Sequence, residues 1–333
     1  MRKLCFVIPD PDAFQSGGNL YNAFFIDALN NCVVQTQVID FEVFANELES
    51  ISDSFCFIDT LFFNEIQQLP FELNNCFLIV HHLQSLELEN PEAITFFESF
   101  EKPILNRFEG FLVSSEFTKN YLFENGLNNK KCLVVEPALC FSPQPKYNKS
   151  PKIKCLIVAN LIKRKGILPF LEEIQKRQIV PKNIQIEIIG SPEFELDYAR
   201  QCKKIIDDSP LSEYVHLAGS MDHQYIRKAL SDANMYISSS FMETFGMALQ
   251  EAVAFRLPIL AIEKGNAKYH ISNGKNGYLF SSMEALVDRL EFLSLNKNEF
   301  EALKKSSWDY RKKESYNWEK AAKQFLQQLK DNG

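Results

Sequence analysis

The sequence predicts two consecutive α/β domains, each built on an open parallel sheet with helices on both faces. Short apolar runs alternate with longer segments of helical period along the whole chain, which is the pattern typical of such sheets. The length of 333 residues fits about two domains of the usual size. Residues 143–151 are rich in proline and polar side chains and cannot continue a helix or a central strand. We therefore place the domain boundary in this stretch, after residue 145.

The first domain, residues 1–145, is predicted to contain six strands, with a helix after the first of them. The helix is amphipathic, because the apolar residues Tyr21, Phe24, Phe25 and Leu29 recur at helical spacing. Each predicted strand precedes a loop or a helix, as parallel strands joined by crossovers require. The strands are expected at residues 4–8, 33–38, 56–58, 77–80, 110–113 and 131–135.

The second domain, residues 146–308, repeats this architecture, and a helical tail follows at 309–333 with Trp318, Phe325 and Leu329 on one face. Parallel sheets bind ligands at the carboxyl ends of their strands, so two such domains facing each other would form a cleft there. We expect the active site in that cleft. The strands are expected at residues 153–158, 184–189, 215–217, 235–237, 259–261 and 278–280.

Composition excludes several classes of protein. The hydrophobic fraction of 46% is average for a folded soluble chain, which excludes wholesale disorder. A formal net charge of -7, from 43 acidic and 36 basic residues, argues against a protein that coats nucleic acid. The eight cysteines form no CxxC pair and lie mostly in apolar runs. They indicate buried thiols in a reducing compartment rather than disulfides or a zinc site.

We expect the chain to be cytoplasmic. The apolar stretch behind the first basic residues ends at Pro9, too early for the core of a signal peptide. No apolar run approaches the roughly 20 residues that span a bilayer. Lys304, Lys305 and residues 311–313 form a basic cluster, for which peripheral contact with an acidic membrane and a solvated helix face are the two interpretations.

The segment 238–252 is the most informative part of the sequence. It follows a predicted strand, and Thr244 and the serines before it suit a loop that leads into an apolar helix starting near Phe245. The N-terminus of such a helix offers backbone N–H groups to an anion or to sugar hydroxyls. Glu243 and Glu251 are expected to line one pocket, where a carboxylate can bind two vicinal hydroxyls. A loop acid and a partly buried helix acid are the alternative.

A second polar segment follows the first strand of the second domain. Lys163, Arg164 and Lys165 are three consecutive cations, and Gly166 comes next. Charged donors in a dry cleft would neutralise a diphosphate leaving group, which carries about two negative charges. A solvated basic turn is the alternative interpretation of these residues.

Two further features lie in the first domain. Gly17 and Gly18 form a loop between the first strand and the first helix, where backbone can approach a phosphate, but the loop lacks the G-x-G-x-x-G pattern of a dinucleotide site. His81 and His82 end a strand and point in opposite directions, so at most one faces the cleft. A structural histidine pair is the alternative. No further His/Cys cluster accompanies them to bind zinc.

Residues 243–258 resemble the E-x7-E signature of family 4 glycosyltransferases, whose usual form is E-G-[FY]-G-x-x-x-x-E-A-x-A-x-G-x-P. The resemblance implies that Glu243 faces the donor sugar and that Glu251 holds the ribose hydroxyls of the nucleotide. Thr244 replaces the usual Gly, which implies an altered donor-sugar pocket, and Arg256 replaces a Gly in a turn. The donor-binding residues implied in this segment are Thr244, Phe245, Gly246, Met247 and Glu251.

Residues 158–166 resemble the G-R-L-x-x-x-K-G segment of the same family, in which the Arg and Lys hold the diphosphate. Lys165 falls on the family's Lys, but Asn160 stands where its Arg would be. Either Arg164 or Lys163 supplies the missing charge, or phosphate binding is weakened.

The remaining implied site residues come from four short segments. Gly190 and Gly219 follow strands near the place where the family holds the nucleotide base. The Gly17-Gly18 pair resembles the family's N-terminal glycine loop, which lies across the cleft from the donor phosphates. A histidine that contacts the donor sugar in the family would be His81 or His82. The implied catalytic residues are Glu243, Lys165, His81 and His82.

The resemblance, strongest from about 153 to 280, implies a GT-B architecture of two facing Rossmann-like domains. Residues 1–145 would bind the acceptor, residues 146–308 the nucleotide-sugar, and the C-terminal helix within 309–333 would pack back on the first domain. Transfer is expected to retain anomeric configuration with no obligatory metal and no cofactor, and the sequence has no convincing DxD motif.

Substrates and competing functions follow from the same resemblance. The donor would be a UDP-sugar ahead of a GDP-sugar, and the acceptor a lipid, a glycan or a small molecule. No nucleic-acid partner is expected, and the oligomeric state is not predicted. A nucleotide-sugar epimerase and a catalytically lapsed binding subunit are the alternatives, with Asn160 the main indication of the second. A phosphorylase of this architecture would need a much longer chain.

Overall fold

A computed structural model of the chain describes residues 3–10, 16–32, 34–46, 54–69, 73–88, 90–148, 150, 152–177, 183–310 and 316–332. The chain divides into two compact units. The first unit comprises Met1–Cys140 together with Ser315–Gly333, and the second unit comprises Phe141–Glu314.

Within the described residues, each unit has a six-stranded, all-parallel sheet, which confirms the predicted fold class. The strand order is β2-β1-β3-β4-β5-β6 in the first unit and β12-β11-β10-β7-β8-β9 in the second. The first-unit strands are β1 (Lys3–Val7), β2 (Thr36–Ile39), β3 (Ser54–Asp59), β4 (Leu73–Val80), β5 (Phe108–Val113) and β6 (Lys131–Val134). The second-unit strands are β7 (Ile153–Val158), β8 (Ile184–Ile189), β9 (Val215–Gly219), β10 (Met235–Ser238), β11 (Ile259–Ile262) and β12 (Gly277–Phe280).

Helices cover the sheets and connect their strands. In the first unit they are α1 (Gly17–Asn31), α2 (Phe41–Asn46), α3 (Phe63–Gln67), α4 (Glu92–Phe96), α5 (Lys102–Leu105) and α6 (Glu116–Leu122). In the second unit they are α7 (Ile167–Lys176), α8 (Leu196–Asp207), α9 (His223–Asp232), α10 (Met247–Ala254), α11 (Ala267–His270), α12 (Met283–Leu295) and α13 (Lys297–Asp309). The last helix, α14 (Trp318–Asn332), belongs to the first unit.

Helix α14 packs on the sheet of the first unit through the apolar face predicted for it. Phe325 is fully buried and its ring contacts the rings of Phe25 and Phe57 at 5.1 and 5.2 Å. Gln328 hydrogen-bonds both backbone groups of Val134 on the edge strand β6, at 3.0 and 2.8 Å. The side chain thereby satisfies backbone groups that an open sheet edge would expose. The predicted return of the C-terminal helix to the first domain is confirmed.

Two differences from the predicted elements have simple causes. Strand β2 begins at Thr36 rather than at residue 33, which lies outside the described residues. Because β2 is an edge strand with few buried side chains, the pattern of apolar residues locates its start poorly. Lys304, predicted to lie in a basic surface cluster, is buried over the rings of Tyr147 and Phe300 and pairs with Glu301. The prediction that Lys304 belongs to a basic surface cluster is therefore wrong. Residues 311–313 of that cluster lie outside the described residues.

The strand order of the second unit determines where its functional loops meet. Strands β7 and β10 are neighbours, with Cys155 paired to Met235 and Leu156 to Tyr236. The chain leaves β7 for one face of the sheet and leaves β10 for the other, so this is the point at which the strand order reverses. Open parallel sheets bind ligands at the carboxyl ends of strands at such a point. The loops after β7 and β10 are the two segments singled out in the sequence.

In the part of the chain that the structure describes, no helix is both long enough and apolar enough to cross a membrane.

Candidate active site

Lys165 and Glu243 form an ion pair where the loops after β7 and β10 meet. Lys165 Nζ lies 2.6 Å from Glu243 Oε1, and the two side chains are only 17% and 13% exposed. Burial alone would raise the pKa of Glu243, but the charges of Lys165 and Arg164 and hydrogen bonds from Lys165 and Ser240 lower it below its ordinary value. Glu243 is therefore an anion at neutral pH, with its charge held in place.

Arg164 is attached to the same loop through backbone contacts. Its Nη1 donates to the carbonyl of Met242 at 2.9 Å, and its own carbonyl accepts from the N–H of Phe241 at 2.8 Å. Lys163 is exposed by contrast, although its backbone N–H donates to Glu195 at 3.2 Å. Two of the three consecutive cations thus lie beside Glu243.

Asn160, at the position of the family's Arg, has a structural contact. Its Oδ1 accepts a hydrogen bond from the N–H of Ser191 at 3.0 Å, which ties the loop after β7 to the loop after β8. The side-chain amide of Asn160 therefore binds the backbone of Ser191, and the positive charge of this region comes from Arg164 and Lys165.

Glu251 lies in the second turn of α10, and its pKa is shifted in the opposite direction from that of Glu243. Its side chain is buried, and burial raises its pKa to about 8. Tyr236 in β10 lies within the electrostatic range of both acids, because burial and then the charges of Glu243 and Glu251 raise the pKa of its phenol. At neutral pH the site therefore holds one carboxylate and one carboxylic acid. Titratable groups whose environments push their pKa values apart are typical of functional sites.

Helix α10 starts at Met247, slightly later than predicted, because Gly246 has φ +91° and ends the loop. Three hydrogen bonds from Asn266 and His270 hold the backbone of the loop between β10 and α10. Asn266 donates its backbone N–H to the carbonyl of Glu243 at 2.7 Å and its Nδ2 to that of Phe245 at 3.1 Å. His270 Nε2 lies 2.7 Å from the same Phe245 carbonyl.

Gly190 and Gly219 lie beside the Asn160 loop at the carboxyl edge of the sheet. The N–H of Gly190 donates to the carbonyl of Gly219 at 2.9 Å. A Cβ on Gly190 would lie 1.9 Å from the carbonyl oxygen of Ala159. Gly190 therefore allows the loops after β7 and β8 to approach each other.

We expect Gly190→Ala to destabilise the protein by about 3 kcal/mol or more, because backbone on both sides must move to accept the methyl group. Gly274→Ala is the matched control, since a Cβ there meets nothing within 4 Å and only the φ of +77° is unfavourable. The control should cost about 1–2 kcal/mol. Urea denaturation monitored by circular dichroism measures both values, and equal losses would contradict the steric explanation.

The histidines of the first unit have different surroundings. His81 Nε2 lies 3.0 Å from Asn22 Oδ1 and 3.3 Å from Asp59 Oδ2. Gly17 and Gly18 were predicted to form a loop before the first helix, but they are the first two residues of α1, which Ser16 caps. A Cβ on Gly18 would lie 2.9 Å from Cδ2 of His81, so the start of α1 packs against the imidazole. His82 points elsewhere, to Glu87 at 2.6 Å.

Asp59 is a fully buried anion beside His81. Burial alone would raise the pKa of Asp59, but the charge interaction with His81 and hydrogen bonds from His81, from the Leu61 N–H and from Asn22 lower it. Because both partners of Nε2 are oxygens that accept, this nitrogen of His81 carries a proton. The first unit thus holds an ordered Asn22–Asp59–His81 cluster at the carboxyl edge of its sheet, next to Gly18.

Sequence reasoning missed Asn22, Asp59, Asn266 and His270. Asp59 could have been found, because it is a charged residue at the end of a buried strand of a parallel sheet. The other three act through contacts between segments far apart in sequence, and no local pattern marks them. Among the described residues, no group of three or more His, Cys, Asp or Glu side chains could hold a metal ion.

A groove in the second unit lies away from these residues, along the amino-terminal halves of β7, β8 and β9 and beside α9. Glu187, His216 and Tyr225 are among its lining residues. Parallel sheets bind ligands at the other ends of their strands. We therefore assign the candidate site to the Glu243 loop.

Parts of the chain are similar in sequence to known glycosyltransferases. The chain is 25% identical over 181 residues to the UDP-N-acetylglucosamine–peptide N-acetylglucosaminyltransferase GtfA subunit of Streptococcus agalactiae, across 51% of this chain and 34% of that protein. It is 27% identical over 142 residues to alpha-monoglucosyldiacylglycerol synthase of Acholeplasma laidlawii, across 42% of this chain and 34% of that protein. The matches thus span about a third of these relatives.

Among solved structures, sucrose-phosphate synthase from Thermosynechococcus elongatus superposes with a TM-score of 0.74 over 99% of both chains, at 17% identity. This likeness shows the fold, which is of the GT-B type. Residues 142–309, half of the chain, match the family model described as glycosyl transferases group 1. The chain therefore belongs to the glycosyl transferases group 1 family of GT-B glycosyltransferases.

Proposed function

We propose that this protein transfers a sugar from a UDP-sugar to an acceptor, with retention of anomeric configuration. The observation that carries the proposal is the cluster at the reversal point of the second sheet. There an ionised Glu243 paired with Lys165 lies near a buried, protonated Glu251. Cations, a helix N-terminus and a hydroxyl-binding acid in one place match the parts of a nucleotide-sugar.

Each part of the donor has a proposed partner. Lys165 and Arg164 neutralise the diphosphate, and Glu251 binds the ribose hydroxyls. Glu243 faces the donor sugar, where its negative charge also orients Lys165. The base lies near Gly190 and Gly219, and Thr244, Phe245, Gly246 and Met247 line the diphosphate and sugar at the start of α10.

The proposed chemistry needs no covalent nucleophile from the protein. The bond between the anomeric carbon and the diphosphate oxygen breaks, the acceptor oxygen bonds the same carbon on the same face, and the acceptor proton passes to the departing phosphate. The protein contributes position and charge, because Lys165, Arg164 and the α10 N-terminus stabilise the negative charge that develops on the diphosphate. His81, or His82 as the alternative, contacts the donor sugar from the first unit.

The UDP preference is supported by the Streptococcus agalactiae relative, which is named for UDP-N-acetylglucosamine. The names of the relatives indicate different acceptors, because one names a peptide and the other names a glycolipid product, monoglucosyldiacylglycerol. We therefore propose the donor class and leave the acceptor as a lipid, a glycan or a small molecule.

Asn160 favours a second candidate, a subunit that binds the donor without turning it over. Its amide is bound to the backbone of Ser191 where the family carries a cation. Such a subunit would bind UDP but release no sugar.

Calorimetry with UDP, GDP and ADP, followed by incubation with UDP-glucose and UDP-N-acetylglucosamine, tests the proposal. We expect UDP to bind most tightly, and slow hydrolysis of one UDP-sugar to release the α-anomer first, as proton NMR would show. Tight UDP binding with no hydrolysis or transfer would support the second candidate. Failure of all three nucleotides to bind would contradict both.

A further inference from the structure

We infer that Asn266 and His270 are positioning residues that orient the backbone N–H groups of Thr244 and Gly246 toward the donor. The inference rests on the proposed function and adds to it two residues outside the donor-contacting set. They lie in and before α11, on the segment that follows β11.

Two carbonyls of the Glu243 loop point in the same direction. The carbonyl of Glu243 accepts from the N–H of Asn266, and the carbonyl of Phe245 accepts from Asn266 Nδ2 and is bonded to His270 Nε2. Both carbonyls therefore point toward one segment, residues 265–270. A trans peptide unit is planar, and its C=O and N–H point in opposite directions. The N–H groups of Thr244 and Gly246 consequently point away from that segment.

Residues 265–270 are packed tightly against the loop. A Cβ on Gly265 would lie 2.3 Å from the Glu243 carbonyl oxygen, so the two backbones are in direct contact. His270 is 1% exposed, and its ring packs edge-on against Phe245 at 5.0 Å. Asn276 Nδ2 donates to the His270 carbonyl at 2.9 Å, which fixes the backbone of His270 in turn.

The hydrogen bond to Phe245 determines which ring nitrogen of His270 carries the proton. A carbonyl oxygen only accepts hydrogen bonds, so Nε2 carries the proton and donates to Phe245. A glutamine side chain places its amide N–H₂ near the position of Nε2, so it can preserve this hydrogen bond while removing the ring. That substitution separates the hydrogen bond from the imidazole.

The consequence is a loop whose donor-facing groups are oriented before the donor arrives. Groups held in advance bind and stabilise a developing charge without reorganisation at the moment of reaction. Loss of the carbonyl contacts would let the 245–246 peptide unit rotate and would move the Gly246 N–H away from the diphosphate. The effect should appear in donor affinity and in turnover, because misplacement of about 1 Å can cost about 100-fold in rate.

The test compares UDP affinity, turnover of the best UDP-sugar and urea stability in His270→Ala, His270→Gln, Asn266→Asp and the wild type. Asn266→Asp keeps the backbone N–H but loses the Nδ2 donor. Asn234→Asp is the matched control, because this 2% exposed amide also donates to a backbone carbonyl, that of Lys152 at 2.8 Å, at the opposite end of the sheet.

We expect His270→Ala and Asn266→Asp to lose 10-fold or more in UDP affinity and in turnover, and His270→Gln to recover most of both. Asn234→Asp should lose stability while keeping UDP affinity. Wild-type UDP affinity and turnover in folded Asn266→Asp and His270→Ala would overturn the inference while leaving the proposed function standing, as would a His270→Gln variant that recovers neither. If Asn234→Asp lost affinity equally, the role would be structural only. A wild-type protein that binds no UDP would overturn both the inference and the proposed function.

Discussion

Glu251→Gln is expected to reduce UDP affinity about 10- to 100-fold at pH 8.5, where Glu251 is a carboxylate that can accept from both ribose hydroxyls. The same substitution is expected to stabilise the protein at alkaline pH. Burial raises the folded-state pKa of Glu251 from 4.5 to about 8. The stability associated with its protonated form is full below pH 4.5 and is lost as pH rises through about 8. Glutamine cannot ionise, so the variant should exceed the wild type by on the order of 4 kcal/mol at pH 8.5.

Urea denaturation at pH 6 and pH 8.5, paired with calorimetry using UDP, measures both effects. The control is Glu299→Gln, an exposed acid in the first turn of α13, which should leave UDP affinity unchanged and cost no more than about 1 kcal/mol of stability at both pH values. A gain in stability that accompanies a loss of function is the expected signature of an acid kept buried for ligand binding. Wild-type UDP affinity in Glu251→Gln would remove Glu251 from the site, and an equal stability difference at both pH values would contradict its raised pKa.

Lys165→Met should lower turnover by about 100–1,000-fold, because it removes a cation from the developing diphosphate charge. It should also destabilise the fold by about 3 kcal/mol, because the buried carboxylate of Glu243 loses its partner. The double variant Lys165→Met/Glu243→Gln removes both charges and should recover most of the lost stability. It should recover none of the turnover.

This double-mutant cycle separates the contribution of the ion pair to stability from the contribution of Lys165 to turnover. The lowered pKa of Glu243 adds a pH signature, since its contribution to stability is present above pH 4.5 and is lost as pH falls through the lower folded value. The wild type should therefore lose stability below pH 4.5 more steeply than the double variant. Turnover restored in the double variant would show that Lys165 serves only Glu243 and not the donor.

The meeting of Lys165 and Glu243 was predictable in outline from the sequence. Both residues follow buried apolar runs, and parallel strands place such loops at one edge of a sheet. The strand order that makes β7 and β10 neighbours was not readable from local pattern, because it depends on pairing between distant segments. Their donor-binding roles stay predictions.

Other features depend on tertiary contact alone. Burial raises the pKa of Glu251, and burial depends on how the chain folds around α10. The sequence next to Glu251 therefore does not reveal the raised pKa. His270 and Asn266 are ordinary loop residues until β11 brings them under the Glu243 loop. Lys304 was assigned to a basic surface cluster because its neighbour is also a lysine, yet aromatic rings cover it.

A crystal structure of the protein with UDP would show whether the donor binds at the Glu243 loop. We expect the ribose hydroxyls within hydrogen-bond distance of the Glu251 carboxyl group, and the β-phosphate in contact with Lys165 at the start of α10. Nucleotide bound in the groove beside α9, or bound at the carboxyl edge without contact to either residue, would contradict the account.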